Sequence, residues 1–344
     1  MADDPTVTAA PAPARPRVLA TGVTGYLGSR LVPVLVERPV EVRVLTRDPA
    51  RLRHRAWLDR VSVVTGDAMD RQVLAEALDG VSTAYYLLHS MDGKPDFERR
   101  DRALALRFAQ AAREAGVRRI VYLSGLHPEG VRLSAHLHSR KEVGDILLAS
   151  GVPTAVLQAA VIIGSGSASF EMLRHLTRRL PAMVAPKWLR NRIQPVAVGD
   201  VLHYLVAAAD LPDEVNRTFD IGGPDVLTYA EMIRRFARID GLSPRVIAPV
   251  PVLTPWLAGH WVGLVTPVPA AIAKPLVGSL IHEVVCQEGD LQSWVGAPPG
   301  GATSFDDAVH QALSGASDQL GRPEPGAVPP AQLTAADPRW AGDS

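Results

Sequence analysis

The feature that restricts the fold most is a regular alternation of short apolar segments and helical patterns along the first half of the chain. The apolar segments have the length of buried strands, and they occupy residues 18–20, 41–46, 61–65, 83–88, 120–124 and 154–163. Helical patterns lie between them, at residues 26–37, 97–115 and 134–149 among others. Strands that alternate with helices are joined by right-handed crossovers and pair in parallel. The sequence therefore predicts an α/β fold built on a doubly wound parallel sheet.

Charge and cysteine content exclude several classes of partner. Among the 344 residues, 36 are basic and 36 are acidic, so the formal net charge is zero at pH 7. Nucleic acids and anionic membrane surfaces attract basic chains, and we expect neither partner here. The single cysteine, Cys286, allows no intrachain disulfide and no cysteine cluster for a metal, so no metal site is predicted. A chain without disulfides suits a reducing compartment, and we expect a cytoplasmic protein.

A glycine-rich turn follows the first strand. Gly22, Gly25 and Gly28 give the spacing G-x-x-G-x-x-G between an apolar strand and a helix. In such a turn the first glycine allows a tight bend, the second lets backbone N–H groups approach a pyrophosphate, and the third lets the helix pack close to the sheet. An ordinary glycine-rich turn is the alternative, but the flanking strand and helix favour dinucleotide binding. The residues predicted to contact the dinucleotide here are Gly22, Thr24, Gly25, Tyr26, Leu27 and Gly28.

The chain divides by composition into four parts. Residues 1–15 are rich in Ala and Pro and lack the apolar run of a signal peptide, so we predict a disordered lead-in. Residues 16–241 form the predicted Rossmann domain. Residues 242–314 are strongly apolar over 246–281, but frequent prolines there argue against a membrane span. This part is predicted to be small and mostly helical, acting as a substrate lid or a self-association surface. Residues 315–344 are rich in Pro, Ala and Gly and are predicted to form a disordered tail.

Five further segments carry a resemblance to a known family. They are Leu45–Asp48, Gly66–Ala68, Tyr86–Met91, Gly164–Glu171 and Gln194–Val201. Together with the glycine turn, they resemble the NmrA-like branch of the atypical short-chain dehydrogenases/reductases. In particular, they resemble bacterial relatives of the nucleotide-binding accessory subunit of respiratory complex I. The resemblance covers about residues 16–285 and implies a protein that binds NAD(P).

The resemblance also implies which residues border the cofactor. At the end of the second strand, NAD-specific relatives place an acid that binds the ribose hydroxyls, whereas this chain has Thr46 followed by Arg47. A guanidinium suits the 2′-phosphate of NADP, so NADP(H) is favoured over NAD(H), although Asp48 lies within the range for a ribose-binding acid. Asp67 is expected at the adenine, with a helix cap as its alternative role, and His89 at the nicotinamide ribose, with a structural role as the alternative. Neighbouring contacts are predicted for Ala68, Leu87 and Leu88.

A catalytic pair typical of this superfamily is missing. Its members place a tyrosine one helical turn before a lysine, and the tyrosine donates a proton to the carbonyl oxygen. No Tyr-x-x-x-Lys occurs in this chain, and Leu137 stands where the tyrosine is expected. The predicted catalytic residues are Ser124, at the end of the fifth strand, and Lys141, in the lysine position. Two nearby histidines, His136 and His138, are predicted to lie on the surface. Without the tyrosine, reduction of an activated enone is expected rather than oxidation of simple alcohols.

Two classes of function follow from the cofactor site. The first is an NADP(H)-dependent oxidoreductase that acts on an apolar small molecule such as a carbonyl compound, an enone or a quinone. The second is a cofactor-binding protein without hydride chemistry, serving as a redox sensor or as a structural or assembly subunit. A sugar-nucleotide epimerase is a weaker third alternative. The sequence alone does not identify the substrate.

Overall fold

The computed structural model describes residues 15–89, 96–250, 263, 265–314, 326 and 328–342. The strands are β1 (Arg17–Ala20), β2 (Glu41–Thr46), β3 (Val61–Thr65), β4 (Val81–Tyr86), β5 (Arg119–Gly125), β6 (Thr154–Ala159), β7 (Ile162–Ile163), β8 (Ala182–Pro186), β9 (Arg192–Ile193), β10 (Val196–Ala197), β11 (Arg217–Ile221), β12 (Leu227–Thr228) and β13 (Val246–Val250). The helices are α1 (Tyr26–Val36), α2 (Arg71–Leu78), α3 (Phe97–Glu114), α4 (Ala135–Leu148), α5 (Ala168–Arg179), α6 (Val198–Ala207), α7 (Tyr229–Ile239), α8 (Ala270–Ser279), α9 (Asp290–Val295) and α10 (Phe305–Leu313).

A seven-stranded parallel sheet forms the centre of the molecule, in the order β11-β6-β5-β4-β1-β2-β3. The doubly wound parallel sheet predicted from the alternation is confirmed. The strand order reverses between β1 and β4, because the chain first builds outward through β2 and β3 and then returns. In an open α/β sheet, ligands bind at the carboxyl ends of the strands beside such a reversal. The glycine turn after β1 lies at that point.

Both faces of the sheet are covered by helices. Successive side chains of a strand point to opposite faces. Accordingly, Val18 and Ala20 of β1 belong to the core under α1 and α6, whereas Leu19 belongs to the core under α2, α3 and α4. All three side chains are less than 5% exposed. A strand buried on both sides reads as a continuous apolar run, which is the pattern that predicted it.

One predicted strand divides into two. The apolar run at 154–163 forms β6 in the main sheet, and then β7, which pairs in parallel with β10 outside that sheet. Because β7 leaves the sheet, the chain after β6 turns toward the C-terminal helices. Apolar continuity alone does not reveal which segment remains in the ladder.

A second layer of helices packs beyond the carboxyl half of the sheet. Helices α5, α7, α8 and α10 share one core, which includes Phe170, Phe236, Ala273 and Val309. This agrees with the predicted helical C-terminal region. Trp256 and Trp261, which belong to the apolar stretch 246–281 predicted to form a lid or a self-association surface, lie outside the described residues. Within the described ranges, no helix combines the length and apolarity needed to cross a bilayer.

The prediction of a disordered tail over 315–344 is wrong for residues 328–342. There, Asp337 is fully buried and pairs with Arg30 of α1 at 2.7 Å. Arg30 also donates to the carbonyl oxygens of Pro330 and Gln332, at 2.8 and 2.9 Å. The composition of this segment is poor in large apolar residues, so it lacks the pattern of a packed element. It is held by buried polar contacts instead, which composition does not reveal.

Candidate active site

The glycine turn after β1 is closed by contacts that only glycine permits at two positions. Gly22 has a φ of +64°, and a Cβ there would lie 2.4 Å from the carbonyl oxygen of Leu87. A Cβ on Gly28 would lie 2.4 Å from the carbonyl oxygen of Gly22. Thr21 fastens the turn to the strand beside it, since its hydroxyl donates to Tyr85 O at 2.9 Å and accepts from Leu87 N at 3.0 Å. Gly22 and Gly28 thus shape the turn itself.

Gly25 has a different role, because it is exposed and precedes the first residue of α1. Its φ is −88°, and a Cβ there would approach only the Gly22 carbonyl oxygen, at 3.2 Å. No side chain caps the helix at this end. The first N–H groups of a helix carry a partial positive charge and lack partners within the helix. Uncapped N–H groups behind an exposed glycine can receive a phosphate.

The side chains of the turn point away from this exposed end. The Tyr26 ring lies beneath the Arg30 guanidinium, with 4.0 Å between the guanidinium carbon and the ring centroid. Its hydroxyl is buried against Gly164 and has no hydrogen-bond partner among the described residues. Burial raises the pKa of Tyr26 above its usual range, although Arg30 opposes the shift. Thr24 and Leu27 are half-buried. Tyr26 can therefore face a ligand through its backbone rather than its phenol.

Two arginines lie beside the end of β2, where an adenosine ribose is expected. Arg47 is exposed, directly after the strand. Arg51, on the short 3-10 helix Pro49–Leu52, reaches the glycine turn and donates to the Thr24 carbonyl oxygen at 3.4 Å. The carboxylate of Asp48 accepts from Ala50 N at 3.0 Å and caps that 3-10 helix. Sequence reasoning singled out Arg47 and missed Arg51, because the fold of the 3-10 helix brings it back to the turn.

The loop after β3 presents Asp67 at the same edge of the sheet. Asp67 is exposed, and one carboxylate oxygen accepts from Met69 N at 2.8 Å. The alternative role as a helix cap is wrong, because Asp70 caps α2 by accepting from Gln72 N and Val73 N. Ala68 is buried beneath the loop. The Asp67 carboxylate thus stays accessible beside the end of β3.

The ends of β4 and β5 lie on the other side of the glycine turn from β2 and β3. Leu87 and Leu88 are half-buried after β4, and His89 is exposed. Ser124 of β5 is 5% exposed, and its Oγ has no hydrogen-bond partner among the described residues. A buried hydroxyl without a partner is rare in proteins. The buried Ser124 hydroxyl can therefore accept or donate a hydrogen bond at the end of β5.

An apolar cavity of about 60 Å³ lies at the carboxyl ends of β5 and β6. Its walls come from the strand ends, α4, α5, α7 and α8, and the lining residues include Gly125, His136, Ala160, Met172, Tyr229 and Leu276. Most lining side chains are apolar. Small-molecule pockets usually measure several hundred Å³. At about 60 Å³, this cavity is smaller than such a pocket.

Helix α4 carries the candidate catalytic side chains on two different faces. Lys141 is 47% exposed, pairs with Asp145 at 2.6 Å, and lines an outer cleft of about 930 Å³. It does not line the apolar cavity. His138 lies on the same outer face and is 62% exposed, as predicted. His136, in contrast, lines the cavity, and the prediction that it lies on the surface is wrong. The two histidines are two residues apart, so about 200° of rotation about the helix axis separates their side chains.

A buried arginine that sequence reasoning missed lies beside His136. Arg140 is 8% exposed on α4. Desolvation, together with the positive charge of Arg140, lowers the pKa of His136 to about 3. Desolvation by the surrounding protein also lowers the pKa of His89, although its side chain keeps an exposed surface, and Arg140 and His136 add to that shift. Both imidazoles are therefore neutral at neutral pH. The i, i+4 spacing of residues 136 and 140 is the sequence signal that could have indicated a shared helix face.

Comparison with known proteins places these features in a family. A family model described as NAD(P)H-binding matches residues 22–162. The chain is 30% identical over 232 residues to (4-alkanoyl-5-oxo-2,5-dihydrofuran-3-yl)methyl phosphate reductase of Streptomyces griseus, a match that spans 65% of this chain and 74% of that protein. The chain is an atypical short-chain dehydrogenase/reductase.

Other relatives of this reductase-like chain differ widely in their names. It is 29% identical over 245 residues to ceramide reductase of Caulobacter vibrioides, covering 68% of this chain and 74% of that protein. It is 27% identical over 259 residues to the mitochondrial NADH dehydrogenase [ubiquinone] 1 alpha subcomplex subunit 9 of Mus musculus, a match that covers 72% of this chain and 66% of that protein. The predicted relationship to the complex I subunit and to NmrA-like reductases is confirmed.

A solved structure of similar fold is the NADPH-dependent quinone oxidoreductase of Escherichia coli in complex with NADPH. It superposes with a TM-score of 0.64 at 20% identity, over 85% of this chain and 98% of that one. At this identity the likeness concerns the fold alone. It agrees with the seven-stranded parallel sheet and its helical layers.

The residues of this atypical short-chain dehydrogenase/reductase fit a nicotinamide dinucleotide. The exposed Gly25, the uncapped start of α1 and the buried Ser124 hydroxyl lie at the carboxyl edge of the sheet, on both sides of the strand reversal. The residues that would hold the cofactor are those of the turn 22–28 and the strand ends that carry Arg47, Asp67 and His89. Among the described residues, no group of three His, Cys, Asp or Glu side chains is arranged to hold a metal ion.

Proposed function

We propose that this protein is an NADP(H)-dependent reductase of an apolar carbonyl compound, enone or quinone. The observation that carries the proposal is the apolar cavity at the ends of β5 and β6, on the same sheet edge as the glycine turn. When bound, reduced nicotinamide supplies a hydride. The walls of the cavity, including Met172 and Leu276, would exclude water from that end. Relatives named as reductases support the same class of reaction.

Turnover of NADPH tests the proposal. Oxidation of NADPH is measured at 340 nm against a panel of quinones, enones and long-chain aldehydes, with NADH in parallel. We expect reduction of at least one apolar compound. Tight NADPH binding without turnover of any compound would instead favour a redox sensor or a structural subunit. The name of the mitochondrial relative and the absence of Tyr-x-x-x-Lys motivate that second candidate.

Preference for NADP(H) over NAD(H) is proposed from Arg47 and Arg51. Arg47 is exposed and forms no ion pair with the described residues, and the Asp48 carboxylate is engaged as a cap. A charge-assisted phosphate contact contributes about 1.5–3 kcal/mol. We therefore expect Arg47→Ala to weaken NADPH binding by about tenfold or more in calorimetry, and to leave NADH binding unchanged. Arg53→Ala, an exposed arginine on the same loop, is the matched control. Equal losses for both cofactors would contradict the assignment.

Filling the apolar cavity should affect the substrate and spare the cofactor. Leu276 of α8 lines the cavity, so the larger indole of Leu276→Trp would occupy the space. We expect the KM of the best panel substrate to rise by about tenfold, a loss of roughly 1.4 kcal/mol, with the NADPH Kd unchanged. Leu106→Trp provides the control, because Leu106 of α3 is 50% exposed. An unchanged KM for Leu276→Trp would place the substrate elsewhere.

Self-association through residues 246–281 is checked in the same assays by diluting the protein, because the activity per unit of protein then changes if the associated form differs in activity.

A further inference from the structure

The inward face of α4 carries a histidine and an arginine four residues apart. Residues at i and i+4 lie above one another on one helix face, so His136 and Arg140 share a face. This is the spacing of the tyrosine and lysine pair that the chain lacks. It is displaced by one residue from Leu137 and Lys141, the positions that correspond in sequence.

We propose that His136 and Arg140 together replace that missing pair, with His136 donating a hydrogen bond to the substrate oxygen and Arg140 holding the nicotinamide ribose. The inference rests on the proposed reductase function. It deepens that function by assigning the polar contact that orients a carbonyl group in an otherwise apolar cavity.

The position of His136 suits this role. Its side chain lines the apolar cavity together with Gly125 and Ala160, which end β5 and β6. The imidazole makes no hydrogen bond with the described part of the chain, whereas Ser279, another polar residue of the lining, donates to Pro275 O at 3.0 Å. A neutral imidazole always carries one N–H donor. His136 thus offers a donor to a ligand where the surrounding walls are mostly hydrocarbon.

The position of Arg140 suits the second role. Arg140 is buried where α4 packs on β5, and its carbonyl oxygen accepts from Tyr122 Oη at 3.3 Å. Its positive charge contributes to the lowered pKa of both His136 and His89, so Arg140 lies near both imidazoles. Lys141, by contrast, faces the outer cleft and is paired with Asp145. The cation on the inward face of α4 is therefore the arginine.

The chemistry balances without a strong acid. A carbonyl carbon that gains a hydride forms a C–H bond as its C=O π bond breaks, and an enone forms the C–H bond at its β carbon as its C=C π bond breaks. In both cases the two electrons supplied by reduced nicotinamide leave negative charge on the substrate oxygen. The His136 N–H stabilises that charge by a hydrogen bond. The proton that completes the product comes from water. Because His136 stays neutral, it acts as a hydrogen-bond donor rather than as the source of the proton, which suits enones and quinones better than simple ketones.

Histidine resonances provide the first test, independent of turnover. The titratable groups around His136 are Arg140 on the same helix, His89 after β4 and Tyr229 of α7 in the cavity wall. In spectra of protein labelled at histidine, we expect His136 to remain neutral to below pH 5 and its pKa to rise in Arg140→Gln. Addition of 1,4-naphthoquinone to the NADPH complex should shift the His136 resonance and leave His138 unmoved.

Variants provide the second test. Losing a preorganised donor to a developing oxyanion costs about 100-fold in kcat, so His136→Leu should show that loss with NADPH affinity unchanged, and His136→Asn, which keeps an N–H donor, should recover much of it. The exposed His138→Asn is the control. Arg140→Gln should weaken NADPH and NADH alike by about tenfold, whereas Arg132→Gln, on the exposed loop before α4, should weaken neither.

The outcomes separate the two proposals. If the unaltered protein reduces no compound of the panel, the proposed reductase function is wrong. The roles of His136 and Arg140 are still tested in that case, by the resonance shifts and by the cofactor affinities of Arg140→Gln. An unmoved His136 resonance on addition of naphthoquinone, or equal losses in His136→Leu and His138→Asn, would overturn the role of His136. A larger loss of cofactor affinity in Lys141→Gln than in Arg140→Gln would overturn the role of Arg140.

Discussion

Replacing Gly25 with valine is expected to abolish cofactor binding while the protein remains folded. Gly25 is exposed at the start of α1, and a Cβ there meets only the Gly22 carbonyl oxygen, at 3.2 Å. The branched side chain would therefore fill the space in front of the first helical N–H groups without entering the core. We expect a loss of NADPH affinity greater than about 100-fold by calorimetry, with an unchanged circular dichroism spectrum.

Two other glycines serve as controls. Gly199 of α6 is exposed, with open space where a Cβ would be added, so Gly199→Val should bind NADPH normally. At Gly28 a Cβ would lie 2.4 Å from the Gly22 carbonyl oxygen, inside the fold, so Gly28→Val should lose the native spectrum as well as binding. Full affinity in Gly25→Val would mean that the phosphates bind elsewhere.

Removing the carboxylate of Asp337 is expected to have the largest effect on stability. The side chains of Arg30 and Asp337 are 2% and 0% exposed, and both Arg30 terminal nitrogens donate to the carboxylate at 2.7 Å. Asp337 also accepts from Thr334 N at 2.7 Å. Breaking a buried pair by removing one partner typically costs about 3–5 kcal/mol, because the other charge stays buried. We expect Asp337→Ala to lower the free energy of unfolding by that amount in urea titrations.

An exposed ion pair just after α1, between Arg38 and Asp210, provides the control. Arg38 and Asp210 also approach to 2.7 Å, but their side chains are 33% and 63% exposed. Exposed pairs contribute at most about 1 kcal/mol, so Asp210→Ala should change stability little. Equal effects of the two substitutions would contradict the view that residues 328–342 are an integral part of the fold. Since Arg30 supports the Tyr26 ring beneath the glycine turn, a weaker NADPH complex should accompany the loss of stability in Asp337→Ala.

Much of the nucleotide-binding half follows from local sequence. The bounds of β2 and β3 agree with the apolar segments, and α4 lies within the helical pattern at 134–149. Ser134 caps α4 by accepting from Leu137 N. These features depend on neighbouring residues only, namely strand apolarity, glycine spacing and a capping side chain. Their agreement explains why the family was recognisable from the glycine turn and the strand ends.

The remaining features depend on contacts between distant parts of the chain. The tail was predicted to be disordered because its composition is poor in large apolar residues, yet Asp337 pairs with a residue 307 positions earlier. His136 and Lys141 lie on one helix, and sequence correspondence favoured Lys141, but the rotation of α4 against the sheet turns Arg140 and His136 inward. The orientation of α4 is set by its packing against the sheet. The sequence of the helix alone does not define that orientation, because polar residues lie on its buried face as well as on its exposed face.

Transfer of deuterium from NADPH tests the central claim most directly. The protein is incubated with NADPH deuterated at C4 and with the panel compounds, including a long-chain enone, and the product is examined by mass spectrometry. We predict a product that carries one deuterium on carbon with the unaltered protein, and none with Gly25→Val. Tight binding of NADPH, with no deuterium on carbon in any carbonyl or enone product and no conversion of any quinone to its hydroquinone, would contradict the assignment as a reductase.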